Sequence, residues 1–202
     1  MKTKKHDAIV LSSATEKQTN QAFVEHFKQA VSLFPDDEIL HNLGLFINSK
    51  DLSRMLFFYE MYKKIVRTHG IIVEFGVRWG QTLAVLQALR GILEPFNRHR
   101  KIVGFDTFCG FQGMNRHDGT RCRCKDGSFS VPSGYERYLD TVLSLQEQMN
   151  PMAHLKRFEL VKGNAQKTVP AYFRKHPETI VSLAIFDFDI FAPTKAALQQ
   201  IK

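Results

Sequence analysis

The chain has 202 residues, 44% of them hydrophobic and 24% charged, with a formal net charge of +8. That balance suits one folded domain whose core is large enough for a central sheet, and it excludes disorder along the whole length. No run approaches the roughly 20 apolar residues that a membrane-spanning helix needs.

Residues 1 to about 20 are polar and are expected to form a disordered tail. Their basic residues are not followed by an apolar stretch with a cleavage site, so no secretory signal is read and the cytoplasm is the default compartment. Residues 21–69 read as a helical segment with two helices. In the second, Leu52, Met55, Leu56, Tyr59 and Ile65 recur at helical spacing, and Asn48, Ser49 or Asp51 is placed to cap it. His69-Gly70 then supplies the stop.

From residue 70 the pattern alternates between strand and helix. Ile71 to Val77 is an apolar, β-branched run and reads as the first strand. Gln81 to Arg90 carries Leu83, Leu86 and Leu89 on one helical face and is expected to end at Gly91. Lys101 to Phe108, Arg157 to Lys162 and Ile180 to Phe188 read as three further strands, with helices at about 135–150 and 168–175. Such alternation predicts an α/β three-layer sandwich around a parallel sheet over residues 70–202.

Residues 109 to about 134 break the rhythm, with Gly, Ser, Asp, Arg and Cys and few large apolar groups. A long irregular stretch after a strand's carboxyl end, where open α/β sheets bind ligands, is read as a substrate-side lid. It holds Cys109, Cys122 and Cys124. An odd number of cysteines argues against a disulfide framework. One intervening residue between Cys122 and Cys124 is fewer than structural zinc sites use, so free thiols are expected. The positive residues are scattered at Lys2 to Lys5, Arg98 to Lys101, Arg121 to Lys125 and Lys156 to Lys175, and no nucleic-acid motif organises them.

The sharpest motif is Glu74-Phe-Gly76-Val-Arg78-Trp-Gly80-Gln-Thr82, between the first strand and its helix. Glycines there permit a tight turn and a close backbone approach to a ligand, while the helix start presents free N–H groups. The spacing is not the Gly-x-Gly-x-x-Gly of dinucleotide enzymes, which counts against a dehydrogenase. Glu74 suits a cationic ligand end better than a pyrophosphate. Asp106 ends the second strand, where a carboxylate can accept both ribose hydroxyls of a nucleoside. Asn164, after the third strand, reads equally as an adenine contact or as a plain turn residue. Asp187 and Asp189, two residues apart on the expected fourth strand, point the same way and can hold a hard divalent cation or divide metal-binding and base roles.

These blocks, with Asn42-Leu-Gly-Leu-Phe46, Leu52-Ser-Arg54, Gly163-Asn-Ala-Gln-Lys-Thr168-Val-Pro170 and Pro193-Thr-Lys195, resemble the bacterial macrocin-type sugar O-methyltransferases over roughly residues 40–202. The resemblance implies a Rossmann-like, S-adenosylmethionine-dependent methyltransferase, with Mg²⁺, acting on a sugar or glycoside hydroxyl. It places Glu74, Gly76, Arg78, Gly80, Thr82, Asp106, Thr107, Asn164 and Asp187 at the cofactor, Asp187 at the metal and Asp189 as general base. The family usually has an acid where Asn164 stands. It also continues with a Gly-Gly turn, another strand and a paired Asp-Asp beyond the point where this chain stops, at Ile201-Lys202. A truncated chain with the fourth strand as a bare apolar edge is therefore expected.

Two rival readings remain at this stage. One is a degenerate, non-catalytic module of the same fold. The other is a nucleic-acid methyltransferase, which the missing Asn/Asp-Pro-Pro-Tyr signature opposes. The expected partner is a small-molecule acceptor, with neither membrane nor nucleic acid, and a homo-oligomer is compatible with the sequence.

Overall fold

A computed structural model describes residues 13–119 and 125–201. Cys122 and Cys124, the cysteines compared with a zinc site, lie outside the described residues, as do Lys2 to Lys5. The described chain forms two compact units, residues 13–57 and residues 58–201. Among the described residues no helix is long and apolar enough to cross a membrane.

The first unit opens with helix α1, Ala14–Leu33. It begins inside the stretch expected to be a disordered tail, because Ser13 and Glu16 form a reciprocal capping box: the Glu16 N–H donates to Ser13 Oγ at 3.2 Å, and the Ser13 N–H donates to the Glu16 carboxylate at 2.7 Å. Phe23 and Phe27, one helical turn apart, both meet the ring of Phe46 in the 3₁₀ turn Leu43–Phe46, at 5.9 and 5.0 Å. Helix α2, Ser49–Ile65, starts where the Asn48 side chain accepts the Asp51 N–H at 2.9 Å.

Phe58, Tyr62 and Ile65, in the last turns of α2, belong to the core of the second unit. This is why the division falls within α2 and not at residue 70, where the sequence pattern changes. The unit contains strands β1 (Ile71–Phe75), β2 (Ile102–Asp106), β3 (Phe158–Lys162) and β4 (Val181–Phe186). All pair in parallel, in the order β3-β2-β1-β4. Helices α3 (Gln81–Leu93), α4 (Tyr135–Gln148), α5 (Ala165–Lys175) and α6 (Phe191–Leu198) complete a Rossmann-like α/β fold.

Alternation along β1 and β2 sends side chains into two cores. Ile72 and Ile102 join Leu83, Leu86, Leu139 and Leu143 of α3 and α4. Val73, Phe75, Val103 and Phe105 join Val169 and Tyr172 of α5 and Ala197 of α6. Helix α3 runs through Gly91, which the sequence suggested as its stop. A Cβ at Gly91 would lie 2.0 Å from Asn150 Oδ1, so this glycine makes room for packing and does not end the helix.

The opposite ends of the strands are locked by charge. Glu147 at the end of α4 pairs with Arg90 and with Arg157, all three side chains being at most 4% exposed. Arg100, immediately ahead of β2, donates to Glu94, to Ser182 Oγ and to the carbonyls of Ile65, Thr68 and Gly70. Tyr62 Oη donates to the same Glu94 at 2.8 Å. Charges so deep are tolerated only when paired and hydrogen-bonded, as each of these is.

Three strands are shorter than the apolar runs that encode them. β1 stops at Phe75 because Gly76, at φ +101°, turns the chain away. Deprived of that partner, β4 makes one further ladder bond, from the Asp187 N–H to the Phe75 carbonyl at 2.8 Å, and ends. β2 likewise ends at Asp106, short of Phe108.

Candidate active site

All four strands deliver residues to one pocket at their carboxyl ends. Gly76 and Arg78 come from the β1–α3 turn, Asp106 and Thr107 from the end of β2, Gly163 and Asn164 from the β3–α5 turn, and Asp187 and Asp189 from the β4–α6 loop. Of the residues singled out in the sequence, these are the ones the fold brings together around the cavity.

The turn after β1 owes its shape to close packing. A Cβ on Gly76 would lie 2.5 Å from the Asp187 carbonyl oxygen. Gly104 in β2 does the same for the other side of the turn, since a Cβ there would lie 2.6 Å from Val77 Cγ2. Arg78 adopts a left-handed φ of 50° and donates its backbone N–H to Asp106 Oδ2 at 2.8 Å. The other oxygen of Asp106 accepts the Phe108 N–H at 2.6 Å. A carboxylate offers about four acceptor positions, so both oxygens of Asp106 keep capacity for ligand hydroxyls.

Three residues of the leading motif stand elsewhere. Glu74 is buried within β1, beside Gly104 of β2. Gly80, at φ +81°, precedes α3, and a Cβ there would lie 2.4 Å from Leu139 Cδ1 of α4. Thr82 is buried in the first turn of α3. None of the three lines the cavity.

Asp187 and Asp189 are not strand residues, contrary to the expectation that they alternate along β4. They lie in the loop that follows it and both face the pocket. The Asp189 carboxyl stays open to solvent, yet surrounding protein strips enough water to raise its pKa; the Asp187 charge adds to this and the Arg78 charge opposes it. Among the described residues, Arg78 is the one cation lining the cavity. Asn164 caps α5, its side chain accepting the Gln166 N–H at 2.9 Å, and it lines the cavity as well. That helix begins at Ala165, earlier than its apolar pattern indicates, because the cap sets its start.

Gly110, Phe111, Gln112 and Phe129, from the described parts of the segment after β2, line one side of the site. The Thr107 hydroxyl donates to the Gly110 carbonyl at 2.8 Å, so this threonine shapes the turn into the segment. Phe111 exchanges backbone hydrogen bonds with Ser128 and Gly127, at 3.0 and 2.8 Å, which closes the loop at its base. The Phe111 and Phe129 rings meet at 5.1 Å, and the Arg78 guanidinium lies 4.8 Å from the Phe129 ring centre. Gly110, Phe111, Gln112 and Phe129 thus line the pocket without having been singled out individually. Two phenylalanines inside a polar segment were the available signal.

A comparison of the whole chain with solved structures finds CalS11, a calicheamicin methyltransferase, at a TM-score of 0.90 and 37% sequence identity over 100% of this chain and 78% of that one. The apo structure of CalS11, a TDP-rhamnose 3′-O-methyltransferase of calicheamicin biosynthesis, matches at a TM-score of 0.80 and 34% identity over 96% of this chain and 74% of that one. No protein-family model matches the chain, and no curated protein does. Identity at this level across the whole fold means that the chain belongs to the macrocin-type family of sugar O-methyltransferases and is a class I S-adenosylmethionine-dependent methyltransferase.

Proposed function

We propose that the chain transfers the methyl group of S-adenosylmethionine to a hydroxyl of a nucleotide-linked or glycosidic deoxysugar, with Asp189 as general base and a Mg²⁺ ion held by Asp187. The observation that carries this reading is the meeting of Asp106, Asp187, Asp189 and Arg78 in one pocket at the carboxyl ends of the strands. The acceptor class is taken from the relative described as a TDP-rhamnose methyltransferase.

The donor set fits both ligands. Asp106 is fixed by two backbone N–H groups and retains lone pairs for ribose hydroxyls. Asn164 stands on the next turn, on the side proposed for the base, while the pocket-facing Gly76 and Arg78 lie on the side proposed for the methionine end. Among the described residues no group of three or more metal-ligating side chains occurs. A pair of carboxylates still suits Mg²⁺, which commonly takes one or two and completes its shell with water and substrate oxygens. When bound, the ion would supply a positive charge beside the acceptor hydroxyl and lower its pKa.

The reaction is a displacement in which the acceptor oxygen forms a bond to the methyl carbon as the carbon–sulfur bond breaks. Sulfur keeps the electron pair and S-adenosylhomocysteine leaves, while the hydroxyl proton passes to the Asp189 carboxylate. Alignment contributes more than proton removal, since positioning can supply roughly 7–11 kcal/mol and a base about 10²–10⁴-fold. Incubation with S-adenosylmethionine and TDP-rhamnose, with and without Mg²⁺, tests the reading. Release of S-adenosylhomocysteine with a methylated sugar in the mass spectrum is expected, and turnover is expected to fall sharply in EDTA. Tight S-adenosylhomocysteine binding without turnover on any nucleotide sugar would point instead to a non-catalytic module.

A further inference from the structure

The lid and the loop carrying Asp187 and Asp189 are joined away from the pocket floor. Asp118 lies in the 3₁₀ turn Arg116–Asp118 of the lid. One of its oxygens accepts the N–H of Phe191, the first residue of α6, at 2.5 Å, and the other accepts the Asn115 N–H at 2.7 Å. Beside this contact the His117 ring lies over the Phe191 ring, centroids 4.6 Å apart and tilted by 31°. The residue preceding α6, Ile190, offers no side-chain acceptor. The cap is therefore supplied from the lid, 73 residues earlier in the chain.

This cap fixes one end of the loop that faces the acceptor. At the near end, the Asp187 N–H is bound to the Phe75 carbonyl. At the far end, the anchors are Asp118 on the Phe191 N–H and the Thr194 hydroxyl on the Ile190 carbonyl at 2.8 Å. A carboxylate accepting two backbone N–H groups at a helix start makes stronger, charge-assisted bonds than a neutral acceptor would.

We infer that Asp118 is a positioning residue: by capping α6 from the lid it holds the Asp187–Ile190 loop, and with it the Asp189 carboxylate, against the acceptor side of the pocket. The inference rests on the proposed role of Asp189. It makes the lid a structural support of the base loop as well as a cover for the cavity.

Hydrogen exchange and kinetics on the full chain test it. In Asp118→Ala, exchange across residues 187–192 is expected to quicken about tenfold, because the Phe191 N–H loses its charged acceptor. Affinity for S-adenosylhomocysteine should stay within about twofold, because Asp118 does not line the cofactor pocket. Asp118→Asn keeps an oxygen for the Phe191 N–H and should recover most of the protection. With S-adenosylmethionine and TDP-rhamnose, Asp118→Ala should lose about tenfold in kcat at an unchanged KM for S-adenosylmethionine. A residue that only maintained the fold would lower the melting temperature and the S-adenosylhomocysteine affinity together. Unchanged exchange at 187–192, or an unchanged kcat, overturns the inference. An active Asp189→Asn variant, or a wild type inert toward TDP-rhamnose, would instead strike the proposed function, and the exchange data would still decide whether Asp118 holds the loop.

Discussion

Arg78 and Asp106 are 28 residues apart in the chain, yet the backbone N–H of the first donates to the carboxylate of the second at 2.8 Å. One carboxylate thus sets the shape of the turn after β1 and presents its remaining lone pairs to the pocket. In Asp106→Ala both tasks fail at once. S-adenosylhomocysteine affinity is expected to fall at least tenfold by calorimetry, since each charged hydrogen bond lost is worth about 1.5–3 kcal/mol. Asp106→Asn, which keeps one acceptor oxygen, should lose less.

Gly76→Ala brings a Cβ to 2.5 Å from the Asp187 carbonyl, at a φ of +101° that a side chain rarely adopts. Backbone, not a flexible side chain, must move to relieve this. A loss of about 1–3 kcal/mol in stability is expected from urea denaturation, with turnover reduced more than the folded fraction explains.

Gly80 separates packing from ligand binding. A Cβ there meets the end of Leu139, so Gly80→Ala should cost about 1 kcal/mol in stability while leaving S-adenosylhomocysteine affinity within about twofold. A large fall in affinity with normal stability would return Gly80 to the cofactor site.

Glu147 holds two buried arginines, so Glu147→Ala leaves both Arg90 and Arg157 without their counter-charge. A loss of about 3–5 kcal/mol is expected in denaturant titration. Asp140→Ala, which breaks the surface pair with Lys156, should cost under about 1 kcal/mol.

Acid should reach the same region. Burial favours the protonated form of Glu94, but hydrogen bonds from Arg100, Tyr62 and Asn97 outweigh it and hold the pKa below the ordinary value of 4.5. A depressed folded-state pKa means a contribution fully present above the unfolded value and lost as pH falls below it. Melting temperature should therefore drop below about pH 4.5, and drop less steeply in Glu94→Gln, which starts lower.

The parallel sheet was legible because β1, β2 and β4 are apolar, β-branched runs separated by helical periods. Their carboxyl ends were not, since a run such as Ile180 to Phe188 continues past the point where its neighbour departs at Gly76. Pairing, and not hydrophobicity, ends β4 and frees Asp187 and Asp189 into a loop. Gly80 is ambiguous for a related reason. A glycine in a strand-to-helix turn serves a ligand or a neighbouring side chain equally well, and the closeness of Leu139, which the fold alone supplies, is what gives Gly80 a packing role. The capping box of Ser13 and Glu16 was readable in principle, but the polar residues around it masked a helix start.

The ion network of Glu94, Arg100, Glu147 and Arg157 grips the sheet where the strands begin, while every pocket residue lies where they finish. Mechanical strength and chemistry are thereby assigned to opposite poles of the same strands. Loops at the chemical pole are free to diverge toward a different sugar without loosening the clamp that keeps the domain folded.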